Sequence, residues 1–192
     1  MTDSPSDLLS KNIVAAKAQF DALESLKPQV QQAADLLKDC LLAGHKVLTC
    51  GNGGSAADAA HITTEFVCRF CDDRKPYPSI CFTDSGSTLS AISNDYDFDQ
   101  TFARQVHAFG QTGDVLIAIS TSGNSQNVRQ ALLAAKQVGI ASIALLGRDG
   151  GQCTGIATVD LIVPGDVTAR IQEAHTLVYH TICEMIEPAL EK

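Results

Sequence analysis

Val47-Leu48-Thr49-Cys50-Gly51-Asn52-Gly53-Gly54-Ser55-Ala56-Ala57-Asp58-Ala59-Ala60-His61-Ile62-Thr63-Thr64-Glu65 reads as strand, turn and helix in succession. The apolar run Val47–Cys50 suits a buried strand, Gly51–Gly54 a tight turn, and Ser55 opens a helical stretch. A glycine-rich turn before a helix N-terminus can bind an anion through backbone N–H groups and the helix dipole. His61 and Glu65, four residues apart, project from one face of that helix.

The same alternation continues along the chain. Lys46–Cys50, Ser79–Thr83, Val115–Ser120, Ile140–Leu146 and Val159–Val163 read as strands. Helices are expected over Ser55–Phe70, Ser87–Ser93, Phe98–Phe109, Ser125–Val138 and Thr168–Glu191, with a short helix after Asp149-Gly150-Gly151. Strands separated by helices predict an α/β fold: a three-layer, doubly wound, parallel five-stranded sheet flanked by helices. Ligands of such sheets bind at the carboxyl ends of the strands, near the switch in strand order. Two further helices lead the chain. Leu9, Ile13, Ala16, Phe20 and Leu23 share one face of the first, and the second runs from Pro28 to Gly44. A helical arm over 1–44 suggests packing against another subunit, and residues 1–192 read as one domain.

At 192 residues with 45% hydrophobic and 5% aromatic content, the core should be aliphatic and Ala-rich. The net charge of −8 lacks the basic footprint that nucleic-acid binding needs. No apolar run approaches the ~20 residues of a membrane span. Met1-Thr2-Asp3-Ser4 lacks the features of a signal peptide, so a cytoplasmic protein is expected. Seven scattered cysteines, several inside apolar runs, argue against a disulfide scaffold. Cys68-Arg69-Phe70-Cys71 is formally a CxxC but has no second pair, and it reads as the end of the Ser55 helix.

Ser120-Thr121-Ser122-Gly123-Asn124-Ser125 is a second strand-end turn, dense in hydroxyls. It reads as an oxyanion cradle, or as an ordinary helix cap. Two such turns at strand ends favour phosphate. Neither a Walker A spacing nor a GxGxxG is present, which moves the reading away from nucleotides. His61 and Glu65 alone could be a surface pair. The last helix adds Gln172 and His180, eight residues apart and roughly 80° past two full turns. His61, Glu65 and His180, with Gln172 as a weaker oxygen donor, form a set that suits zinc or a similar divalent ion. His175 lies near the same side and could simply pack or cap.

Cys-Gly-Asn-Gly-Gly-Ser at 50–55, Ser-Thr-Ser-Gly-Asn-Ser at 120–125, Asp-Gly-Gly at 149–151 and Arg-Ile-Gln-Glu-Ala-His at 170–175 resemble the phosphoheptose isomerases of the SIS (sugar isomerase) fold. The resemblance spans essentially the whole chain. It implies conversion of sedoheptulose 7-phosphate to D-glycero-D-manno-heptose 7-phosphate, for the inner-core heptose of lipopolysaccharide. It implies a homotetramer with active sites at subunit interfaces and a zinc ion in each subunit. By matching position, Ser55, Ser120, Ser122 and Ser125 would hold the phosphate, with Thr121 beside them. Asn52, Gly53, Gly54, Asn94 and Asp95 would line the sugar. His61, Glu65, Gln172 and His180 would be the metal set, and Glu65 and His180 the base and acid of an aldose–ketose isomerisation through an enediol. Ala169 stands where family members often carry an acid, so no role for that acid transfers. Two other readings share the fold: a non-enzymatic adaptor that binds the replication initiator, and an isomerase of another phosphosugar. The adaptors resemble this chain in the Gly-Asn-Gly and Ser-Thr motifs but lack the Glu and the last-helix His.

Overall fold

The computed structural model describes residues 5–190, so Met1–Ser4 and the expected helix end at Glu191 lie outside it. Five parallel strands, β1 (Val47–Gly51), β2 (Ser79–Cys81), β3 (Val115–Ser120), β4 (Ala141–Gly147) and β5 (Val159–Val163), form one sheet in the order β2-β1-β3-β4-β5. The strands β1, β3 and β4 are buried on nearly every residue, as the near-continuous apolar runs of a sheet covered on both faces require. The period-2 alternation then divides the core. Val47, Val115, Ile117, Ile119, Ile143 and Leu145 face one layer, while Leu48, Cys50, Leu116, Ala118, Ala144 and Leu146 face the other.

The first layer is made by α2 (Lys27–Leu42), α3 (Gly54–Val67) and α7 (Thr168–Ile186). The second contains α5 (Ala103–Phe109) and α6 (Gln126–Val138), with α4 (Gly86–Asp95) beside them. The expected three-layer α/β architecture is the observed one. The order reverses between β1 and β3, whose pairing brings Gly51 opposite Ile119. The turns after these two strands therefore leave the sheet side by side at the switch point.

The leading helices behave differently from each other. The second, α2, belongs to the core through Ala33, Ala34, Leu37 and Leu41. The first, α1 (Pro5–Ala22), meets α7, where Arg170 donates to the Asn12 carbonyl at 3.1 Å, but its apolar face stays open. Leu9 is 62% and Ile13 46% exposed.

Helix ends depart from expectation for identifiable reasons. The Ser55 helix stops at Val67 rather than Phe70. The buried Arg74 guanidinium turns back to donate to the carbonyls of Glu65 and Phe66, supplying positive charge and partners at the helix C-terminus. The predicted Phe98–Phe109 helix is split into a 3-10 turn, Phe98–Gln100, and α5. Asp97 caps the turn, and the Thr101 hydroxyl donates to the Phe98 carbonyl at 2.8 Å. The last helix ends at Ile186 in a 3-10 turn, Glu187–Ala189, which carries Pro188 near its start. All seven cysteines are free; Cys68 and Cys71 are exposed beyond the end of α3 and the others are buried.

Candidate functional site

The α3–α7 seam gathers the titratable groups. Gly54 lies against Gln172, and seven residues further along α3 His61 meets Tyr179 and His180. Both helices advance in the same direction, so the two run parallel and the i, i+7 spacing repeats on each. His61 Nε2 lies 2.8 Å from Glu65 Oε1. The His61 and His180 rings meet edge to face with centroids 5.0 Å apart. Ligand atoms of His61, Glu65 and His180 all fall within 4.8 Å of one another. Burial and the neighbouring His61 lower the His180 pKa, opposed by Glu65.

The Tyr179 hydroxyl sits 2.9 Å from His61 Nδ1. Burial pushes Tyr179 up to about 12, so the phenol keeps its proton. His61 Nε2 faces the Glu65 carboxylate and Nδ1 faces the Tyr179 hydroxyl, so the ring is held at both nitrogens; with Nε2 on a metal ion, Nδ1–H would donate to the Tyr179 oxygen. Tyr179 carried no signal in the sequence beyond its place next to His180. Asp58, one turn before His61, was also missed. Its Oδ2 is buried without a hydrogen-bond partner, and desolvation raises its pKa.

Gln172 places its carboxamide on the backbone of the first turn. A Cβ on Gly54 would come within 2.0 Å of Gln172 Nε2, which is why that position is glycine. Gly53, at φ 55° and ψ −120°, occupies a conformation closed to other residues and leads the chain into α3. Ser55 is buried at the helix start.

The second turn is braced from behind. Ser120 Oγ donates to Ser125 Oγ at 3.1 Å, and the Asn124 N–H donates to Ser122 Oγ at 3.1 Å. Gly123 sits so close to the turn after β4 that a Cβ would strike the Gly150 carbonyl at 2.0 Å. Cys153 N–H also donates to the Gly123 carbonyl at 2.9 Å. Thr121 contributes a backbone carbonyl beside Gly147. These contacts hold the hydroxyls of 120–125 around one end of β3, close to the α6 N-terminus. Such a cradle can offer an oxyanion several neutral donors at once.

Asn52 bridges the two turns. Its Nδ2 donates to Asn127 Oδ1 at 2.8 Å, and Asn127 Nδ2 donates to Asn52 Oδ1 at 2.9 Å. Asn127 stands in the first turn of α6 and was not singled out in the sequence. Asn94 and Asp95 fall elsewhere: they are exposed at the end of α4, hydrogen-bonded to each other at 2.8 Å. His175 packs. It is fully buried, its Nε2–H donates to the Leu146 carbonyl at 3.0 Å, and burial pushes its pKa down to about 4.

Residues 13–147 match the SIS domain family. Over 177 residues, covering 91% of this chain and 90% of the relative, the sequence is 46% identical to the phosphoheptose isomerase of Shewanella loihica. The structure superimposes on phosphoheptose isomerase GmhA from Neisseria gonorrhoeae with a TM-score of 0.91 at 40% identity, covering 96% of this chain and 100% of that one. A phosphoheptose isomerase from Francisella tularensis superimposes with a TM-score of 0.92 at 36% identity, covering 97% and 100%.

Proposed function

The chain belongs to the phosphoheptose isomerases of the SIS domain family, and on that premise we propose how its residues divide the work on sedoheptulose 7-phosphate. It is a phosphosugar isomerase that interconverts this ketose with D-glycero-D-manno-heptose 7-phosphate in heptose biosynthesis, the source of the lipopolysaccharide inner-core sugar. The reaction takes a proton from C1 and returns one to C2 through an enediol, so it needs a base at carbon and an acid at oxygen. Glu65 is the base. His180 is the acid, with its pKa lowered by burial and by the neighbouring His61. Tyr179 holds the His61 ring from behind.

Ser55, Ser120, Ser122 and Ser125, with Thr121, hold the phosphate. Asn52, Gly53 and Gly54 line the sugar, with Gln172 beside them. Binding the phosphate far from C1 and C2 supplies energy that orients the reacting carbons. The close grouping of His61, Glu65 and His180 suits a divalent ion, and we assign one zinc per subunit to these three; Gln172, expected as a further oxygen donor, lies about two helical turns away against Gly54. Such an ion, when bound, supplies Lewis-acid stabilisation of developing negative charge on oxygen.

We further propose that residues 1–192 act as one domain in a homotetramer, in the cytoplasm. Among the described residues no helix is long and apolar enough to cross a membrane. The open apolar face of α1 and a 430 Å³ groove between Phe20, Leu23, Val30, Leu177 and Met185 support burial of the 1–44 arm against another copy. The exposure of Asn94 and Asp95 supports their reaching the sugar of a neighbouring subunit.

The observation that carries the catalytic reading is the convergence of His61, Glu65 and His180 from two helices, which an adaptor has no need of. The test is turnover of sedoheptulose 7-phosphate by the purified, metal-loaded protein, beside pentose and hexose phosphates. Heptose phosphate formation well above the others is expected; preference for a shorter sugar overturns the substrate assignment.

A further inference from the structure

The Asn52–Asn127 pair is a closed network whose proton directions are all determined. Thr101 is fully buried and its hydroxyl donates to the Phe98 carbonyl at 2.8 Å, so its oxygen can only accept from Asn127 Nδ2, which lies 3.3 Å away. On the other edge, Asn127 Oδ1 accepts the Val128 N–H at 2.9 Å. These two contacts fix which end of the Asn127 carboxamide is oxygen. Asn127 is 1% exposed, and its two N–H groups and two acceptor sites are all in use.

That fixed amide dictates the orientation of Asn52. The Asn52 oxygen must face Asn127 Nδ2 and the Asn52 nitrogen must face Asn127 Oδ1. Half of the Asn52 carboxamide is thereby occupied. One N–H and one lone pair remain, on opposite flanks of the carboxamide, at a half-buried position beside the exposed Gly53. With the amide fixed, one flank offers a sugar hydroxyl only a donor and the other flank only an acceptor. Free rotation about the last Asn52 torsion would otherwise offer the hydroxyl either arrangement.

We propose that Asn127 is a positioning residue for the isomerase reaction: it fixes the edge that the Asn52 carboxamide presents, and so the substrate hydroxyl that Asn52 can recognise. This deepens the proposed function and rests on its reading that Asn52 lines the sugar. Asn127 itself touches no substrate. A core position on α6 filled at this cost in desolvation, where Val128, Ala131 and Leu132 nearby are apolar, is accounted for by that task.

The test is a double-mutant cycle of Asn127→Asp and Asn52→Ala in the metal-loaded enzyme. For each form KM and kcat with sedoheptulose 7-phosphate are measured, with the inhibition constant of inorganic phosphate. Asn127→Asp keeps the acceptor for the Val128 N–H but removes the donor to Asn52, so the Asn52 oxygen meets an acceptor in either orientation and the amide is no longer held in one. Its KM should rise about tenfold, the worth of one hydrogen bond, while phosphate inhibition stays within about twofold. In the Asn52→Ala background the same substitution should change KM by less than about twofold. Phosphate inhibition that weakens in step with KM would mean that Asn127 only shapes the cradle, and would overturn the proposal. So would an unchanged KM, or a full effect of Asn127→Asp without the Asn52 carboxamide. If Asn52→Ala leaves KM at the wild-type value, the reading of Asn52 as a sugar contact fails, and the proposal with it, while wild-type turnover still upholds the isomerase. Should Asn127→Asp fold too poorly to assay, Asn127→Ser removes the carboxamide without a buried charge and is read through the same cycle.

Discussion

The α3–α7 seam and the outer face of α1 are both helix surfaces, yet the chain finishes one and leaves the other open. In the seam, His61 is held at both ring nitrogens, by Glu65 and Tyr179, and His180 packs edge to face against His61. On α1, Leu8, Leu9, Ile13 and Val14 remain between 46% and 67% exposed. The difference follows from the kind of group involved. Polar groups taken out of water must find partners at once, or each costs about 1–3 kcal/mol, so reactive side chains have to be organised within the chain. Apolar side chains lose only unrealised burial while they wait, about 25 cal/mol per Å², and can be completed by another copy. In the proposed homotetramer, the catalytic seam would be organised within each protomer and the open face of α1 closed by another copy.

That contrast can be broken most severely at Glu65. Glu65→Gln should lower turnover by roughly 10²–10⁴-fold while phosphosugar binding, followed by calorimetry, stays within a few-fold of wild type. Near-normal turnover would remove Glu65 as the base. The inner face of α7 gives the next largest effect. His175 has a folded pKa of about 4, below its ordinary 6.5, so protonation favours the unfolded chain. Its contribution is intact above about pH 6.5 and is lost as pH falls toward 4, a difference of about 3 kcal/mol. Denaturant midpoints from pH 7.5 to 4 should show this slope, and His175→Leu should flatten it. A third test opens the other region. Ile13→Asp with Val14→Asp should shift sedimentation toward smaller species, at roughly 2 kcal/mol of association per side chain, with helical circular dichroism retained. Unchanged sedimentation would show that α1 is not an interface.

The smallest effect concerns the strand-end turns that both regions border. Arg148, at φ 60°, is the one non-glycine residue with positive φ among those described, in a turn closed by Gly150 N–H to the Gly147 carbonyl at 2.9 Å. Arg148→Gly should relieve about 1 kcal/mol of backbone strain, partly offset by glycine's greater freedom when unfolded, for a Tm rise of about 2 °C by calorimetry.

Much of this was legible in the sequence because it depended on local periodicity. The apolar runs Val47–Cys50 and Val115–Ser120 marked buried strands, and the Gly/Ser turns after them marked the carboxyl edge where a ligand would sit. The i, i+4 spacing put His61 and Glu65 on one face. Helix ends were less legible, because the partner that stops α3, Arg74, acts from across a loop. The deeper residues of the site escaped for the same reason. Tyr179 reaches His61 across 118 positions of sequence, and Asn127 reaches Asn52 across 75. An asparagine in the first turn of a helix is satisfied equally well by capping, so its residue type carried no message about a distant turn.

The opening stretch, Val47 to Glu65, by itself determined a strand, a glycine-rich turn and a helix bearing an imidazole and a carboxylate, because those properties depend on residues within a few positions of one another. Only the tertiary structure decided which groups they meet. The parallel docking of α7 on α3 brings His180 to His61 and Gln172 to Gly54, and the β1–β3 switch brings Asn127 to Asn52. Such pairings arise from the packing of layers around a shared core, where distance along the chain has ceased to matter.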